Sequence, residues 1–204
     1  MAETKLFWFA LKVFFNKVFE WEERLTQEGF ETYLAVEKRC LKGEDHLRAA
    51  RKIALEAGDA AAASRYIREG VQIYERRPLI ASLLFVKASR QDALGIDKEL
   101  AGKGFIYKKA DKKTLSAIPE KQMASFRLVT SSLETGLTFF SDDSITRYRQ
   151  GARVRVKEGP LKGAEGYIKR IRKDRRLLVS IEGVVAVATS YIPPQMLEIV
   201  PELS

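Results

Sequence analysis

Apolar positions along this chain fall into short runs and helical spacings that change character near residue 150. Lys5–Leu11 (KLFWFAL) is aromatic-rich and short, which predicts a central strand. After Val13 the spacing turns helical. Phe14, Val18, Trp21 and Leu25 recur at intervals of four, three and four, which lays them on one helix face, and Gly29 follows as a C′ residue. Phe15 and Phe19 stand about 100° round from Phe14 and Val18. They widen the apolar arc, either to complete the core or to form the edge of a partner-binding surface.

Phe30–Val36 reads as a second strand. Residues 46–70 are Ala-rich and predict two short helices joined near Gly58-Asp59, with Asp59 as N-cap of the second. Leu47, Ala50, Ile53 and Ala54 form an apolar stripe on the first. Ile80–Lys87 (IASLLFVK) is nearly all apolar, as a buried strand is. Ser89 then caps a helix through Leu100, and Gly104–Lys108 is a further short strand. Pro119 opens a helix at its N1 position, with Met123, Phe126 and Leu128 or Val129 facing inward. This order predicts an α+β domain: an antiparallel sheet with flanking helices.

Residues 131–149 read as a polar linker interrupted by the apolar patch Leu137–Phe140. From Gly151 the pattern is all-β. Arg153–Lys157 alternates with period two, Gly159-Pro160, Gly163 and Gly166 punctuate turns, and Leu177, Val179 and Ile181 alternate with polar and apolar neighbours. About five short strands suit a small closed SH3-like barrel. The expected organisation is a first domain over residues 1–130 with its helical insert at about 46–70, a linker over 131–149, and a β-barrel domain over 150–204.

Charge adds direction. Of 204 residues, 36 are Lys or Arg and 27 Asp or Glu, a net +9. The surplus is +5 over residues 1–149 and +4 over 150–204. A balance of this size favours a polyanionic partner. One Cys (Cys40) forbids an internal disulfide, and one His (His46) forbids a His-rich metal site, so no metal or cofactor is expected. No Gly-x-Gly-x-x-Gly, P-loop or Gly-x-Ser-x-Gly occurs, and Glu22 and Glu23 are adjacent on a helix and point to different sides. The expected activity is binding, not catalysis. No run reaches the roughly 18 apolar residues of a membrane span. Leu6–Phe15 is broken by Lys12, has only Lys5 as a basic flank and lacks a small-residue cleavage site, so a cytoplasmic location is expected.

Residues 151–177, GARVRVKEGPLKGAEGYIKRIRKDRRL, resemble a KOW motif: an alternating strand, a Gly-Pro-x-x-Gly turn, a Gly-led second strand and a basic hairpin. Trp8–Val13, Asn16, Gly29-Phe30-Glu31 and Tyr33-Leu34 resemble the first strand, helix and second strand of the NusG N-terminal (NGN) domain. The run Arg77-Pro78-Leu79-Ile80-Ala81-Ser82-Leu83-Leu84-Phe85-Val86 is similar to one typical of the UpxY-like branch, the NusG paralogues attached to surface-polysaccharide operons. So are Ile118-Pro119 through Met123 and Phe126, and Ile181-Glu182-Gly183, Ala186–Thr189 and Ile192-Pro193-Pro194. The similarity spans nearly the whole chain except about residues 38–76. Ala81-Ser82-Leu83 stands where many NusG proteins carry Pro-Gly-Tyr or Pro-Asn-Tyr, and Leu161 where the KOW turn usually has Phe.

The resemblance implies a transcription elongation or antitermination regulator. Its NGN domain would sit on the clamp helices of the largest RNA polymerase subunit and suppress pausing or premature termination at polysaccharide-type operons. The polymerase contact would be an apolar groove that accepts a helical hairpin, with Phe15, Ile80, Leu83 and Phe85 as candidates. For Leu83 and Phe85 the alternative is ordinary sheet core. Non-template DNA or nascent RNA would meet Lys12, Asn16 and Lys17 at the strand–helix junction. The basic hairpin Lys169, Arg170, Arg172, Lys173, Arg175 and Arg176 is the second nucleic-acid candidate. Leu161 is the position expected to bind a partner of the barrel, a small-subunit ribosomal protein or the termination factor Rho. A monomer without membrane contact is expected. The alternative is an RNA- or ribosome-associated KOW protein without polymerase function.

Overall fold

A computed structural model of the chain describes residues 5–132, 136–141, 152–171 and 174–201. It is mixed α+β, with five α-helices and antiparallel sheets among the described residues. The chain forms two compact units, Met1–Ala35 with Ile80–Ser204, and Val36–Leu79.

The first unit begins with strand β1 (Phe7–Val13) and helix α1 (Val18–Gln27). β1 is the centre of a front sheet of strand order β2-β5-β1-β6, built with β2 (Glu31–Tyr33), β5 (Leu83–Ala88) and β6 (Gly104–Ile106); β7 (Ala117–Ile118) also pairs with β1. Every pairing is antiparallel, with Ala10 opposite Phe85 and Leu11 opposite both Leu84 and Ile106. Both faces of this sheet are covered, which is why β1 and β5 read as unbroken apolar runs. On one side lie α1 and α4 (Arg90–Glu99). On the other, Trp8, Ala10, Leu83 and Phe85 share a core with Met123, Phe126 and Val129 of α5 (Glu120–Ser131). Ser89 caps α4 as expected: its Oγ accepts the Asp92 N–H at 3.1 Å and donates to the Asp92 carboxylate at 2.6 Å.

A second, six-stranded sheet follows. Its order is β13-β9-β10-β11-β12-β8, from β8 (Thr138–Ser141), β9 (Arg153–Val156), β10 (Glu165–Ile171), β11 (Asp174–Ile181), β12 (Val185–Tyr191) and β13 (Leu197–Ile199). The closed barrel expected from the strand count is not formed among the described residues. Part of the segment read as linker, Thr138–Ser141, pairs along β12 and takes the edge that a closing strand would need. The rest of that expected linker, and Gly151, lie largely outside the described residues. α5 packs on β10, β11 and β12 as well as on β1, so one apolar cluster runs from Trp8 and Phe85 to Val154, Val179 and Val187.

The second unit holds β3 (Val36–Cys40), α2 (Gly43–Glu56), α3 (Ala60–Arg68) and β4 (Tyr74–Pro78). The strands pair antiparallel as a two-stranded ribbon, and α2 packs on α3 through Ala50, Ala54 and Ala62. The Asp59 carboxylate accepts the Ala62 N–H at 3.2 Å, which makes it the expected cap of α3. The run Phe30–Val36, expected as one strand, is divided: Leu34 and Ala35, both buried, follow β2 and precede β3 in the chain and belong to neither. No described helix is long and apolar enough to cross a membrane.

Candidate functional site

One end of the front sheet gathers the β1–α1 turn, the turn before β5 and the start of β6. The Val13 N–H donates to the Ser82 carbonyl at 2.8 Å, and the Phe14 N–H to the Lys103 carbonyl at 2.7 Å. The helical spacing predicted α1 from Phe14, but the helix starts at Val18. The residues between form a turn in which Phe15 (φ 59°) and Asn16 (φ 56°) are both left-handed. For a residue with a Cβ that conformation costs about 1–2 kcal/mol, and Phe15 is held in it 74% exposed. Strain of this kind concentrates at functional positions.

The turn carries Phe14 out of the core as well. The Phe15 and Phe14 ring centroids lie 6.2 Å apart, Phe14 and Phe105 6.0 Å, and Phe105 and Tyr107 5.3 Å. A line of four rings therefore runs from the turn along the edge strand β6. Lys12, half-buried, is directly opposite Phe105. Asn16 and Lys17 are exposed, and Lys17 holds an exposed pair with Glu20 at 3.1 Å, a contact that competes weakly with a stronger anion.

The four polymerase candidates separate. Phe15 is exposed and Ile80 half-buried at the same sheet end, but Leu83 and Phe85 are 4% and 1% exposed. The Phe126 ring on α5 sits 5.3 Å from the Phe85 ring, and Leu83 lies in the same cluster. Both are sheet core, because α5 covers the face that the resemblance had left open as a groove. Leu161 is corrected in the same way. The turn Gly159–Ala164 folds back on β9, with Gly163 N–H donating to the Val156 carbonyl at 2.8 Å, and drives Leu161 into the core at 2% exposure.

The basic hairpin is β10–β11. Lys169 faces Arg176 and Arg170 faces Arg175 across the ladder. Like charges directly opposed destabilise a hairpin on their own, so the arrangement suits an anionic partner. Arg170 and Arg175 are exposed, Lys169 and Arg176 half-buried, and Arg172 and Lys173 lie outside the described residues. Arg176 is paired with Asp174 at 3.7 Å, and other cations of the sheet are paired as well. Glu165 receives Arg153 at 2.8 Å and Arg155 at 2.6 Å. Burial pushes the Glu165 carboxyl up, but these hydrogen bonds and charges outweigh it and hold it below its ordinary value. A cavity of about 540 Å³ between α5 and the second sheet is lined by Lys121, Ser125, Arg153, Glu165 and Tyr167, with neither Cys nor His among its residues.

Sequence reasoning missed Phe14 and Phe105 as surface groups. Asn16, a residue that tolerates the left-handed region, was the one local signal that the helix could not begin at Phe14. No protein-family model matches the chain, and no curated protein matches it.

Proposed function

We propose that this chain is a transcription elongation or antitermination factor of the NusG type, with the front sheet and its helices as an NGN-like body and the second sheet as a KOW-containing module. What supports this reading most is that the glycines carrying the resemblance stand where the backbone demands glycine, and that Ser82, though not one of the family's usual residues, stands where they would be favoured. Ser82 has φ 66°, at the position where many NusG proteins carry Gly or Asn, the two residues that enter that region most readily. In the motif Gly-Pro-x-x-Gly, Gly159 and Gly163 have φ 85° and 91°. Gly166 lies so close to its neighbour that a Cβ would stand 2.3 Å from the Leu178 carbonyl oxygen.

The polymerase-facing surface is then the sheet end at Phe15, Phe14 and Ile80, in place of Leu83 and Phe85. Lys12, Asn16 and the β10–β11 hairpin meet phosphates of the elongation complex, which positions the factor without reading sequence. A second reading, an RNA- or ribosome-associated protein without polymerase function, draws on the opposed cations of that hairpin.

Retention on immobilised core RNA polymerase separates them. The full chain is expected to be retained, and Phe15→Asp to bind at least about tenfold more weakly with an unchanged melting temperature, because an exposed side chain carries little stability. Binding to ribosomal RNA with no retention on polymerase would support the second reading.

A further inference from the structure

The connection between β6 and β7 carries four lysines in the six residues 108–113 (KKADKK), and none of them belongs to the motifs above. It is a tightly tied loop. Lys109 N–H donates to the Thr114 carbonyl and Lys112 N–H to the Lys109 carbonyl, both at 2.8 Å, while Ser116 N–H closes on the Tyr107 carbonyl at 2.9 Å. Asp111 is turned into the loop. One carboxylate oxygen accepts the Lys113 and Thr114 N–H groups at 2.8 Å each, and the other accepts the Thr114 hydroxyl at 2.6 Å. The Thr114 hydroxyl first, then the backbone N–H groups, lower the Asp111 pKa to about 2.

The loop's one carboxylate is thus spent on its shape, and Lys108 is paired with Asp97 at 3.1 Å. Lys109, Lys112 and Lys113 are all exposed, and among the described residues no carboxylate lies within ion-pair distance of them. Lys112 stands at φ 56°, a second place in this region where a side chain is held out on left-handed backbone. Asp111 also interacts electrostatically with Lys109, but four lysines against one aspartate leave the loop net positive, which favours a polyanion. What adjoins them selects the polyanion: the strand leading into the loop carries Phe105, an exposed ring, with the half-buried Tyr107 against it. A flat exposed ring next to a basic loop suits an unpaired base on a phosphate chain. An acidic peptide would use the lysines and leave the Phe105 ring idle.

We propose that Lys109, Lys112 and Lys113 form a clamp for the backbone of single-stranded nucleic acid, one of whose bases stacks on Phe105. This deepens the nucleic-acid half of the proposed function and is independent of its polymerase half. The test is fluorescence anisotropy of the full chain with a labelled oligothymidylate, the same-length duplex and polyglutamate as competitor. The wild type is expected to prefer the single strand. Lys109→Gln/Lys112→Gln/Lys113→Gln should weaken that binding at least about tenfold at low salt and reduce the slope of log K against log salt by about 2, three single-strand phosphates' worth. The corresponding triple Arg variant should retain affinity, and far-ultraviolet circular dichroism should be unchanged in both. Unaltered affinity in the Gln variant overturns the proposal, whether or not polymerase is bound. So do equal binding of the duplex and equal competition by polyglutamate at matched charge.

Discussion

Phe126→Ala should lower the unfolding free energy by about 3–5 kcal/mol, the range for removing a large aromatic ring from a packed core. Phe126 is 0% exposed in the middle of α5, and its ring lies 5.3 Å from that of Phe85. The position is unusual because α5 is packed on both sides. It touches β1 of the front sheet and β10, β11 and β12 of the second sheet, and one apolar cluster spans all of them. A cavity there loosens the packing of both sheets at once. Urea unfolding followed by tryptophan fluorescence, which reports Trp8 and Trp21, and by far-ultraviolet circular dichroism, which reports all the strands, should show coincident transitions displaced together. A loss below about 1 kcal/mol, the size of an average substitution, would show that α5 does not join the two sheets.

Gly166→Ala should cost about 3 kcal/mol although it adds a single methyl group, the upper end of what overpacking costs. An alanine Cβ at this position would stand 2.3 Å from the Leu178 carbonyl oxygen and 3.0 Å from its carbon. Both are backbone atoms, so no rotamer change relieves the clash and β10 must move away from β11. Those strands carry the opposed cations of the basic hairpin, so amide exchange at Tyr167–Ile171 and Asp174–Leu178 should accelerate. Gly163→Ala is the control. It has open space around its Cβ and φ 91°, so only the left-handed penalty of about 1–2 kcal/mol applies. Equal losses at the two glycines would contradict the close approach.

The core was legible because period and capping are local. Val18, Trp21 and Leu25 are buried on α1, Ser89 caps α4, and Met123, Phe126 and Val129 face inward from α5, as their spacings predict. The failures have long-range causes. Nothing near Leu83 or Phe85 announces that a helix some 40 residues later will cover them, and nothing near Leu161 announces that its turn folds inward. The sequence pattern puts Pro119 at N1, whereas it serves as N-cap, a shift of one residue. β4 escaped notice because Tyr74–Pro78 has no apolar alternation; its partner β3 is charged at the facing positions, and the ribbon is held by backbone pairing. The loop at 107–114 was legible in composition but not in shape, since the turning-in of Asp111 depends on Thr114 and two backbone amides.

Transcription in vitro by core RNA polymerase through an intrinsic terminator and an upstream pause site, with and without the full chain, bears most directly on the function proposed here. Shortened pauses or a higher fraction of read-through is expected with the wild-type chain, with that response reduced by Phe15→Asp. Unchanged pausing and termination at concentrations that saturate any RNA binding would contradict it.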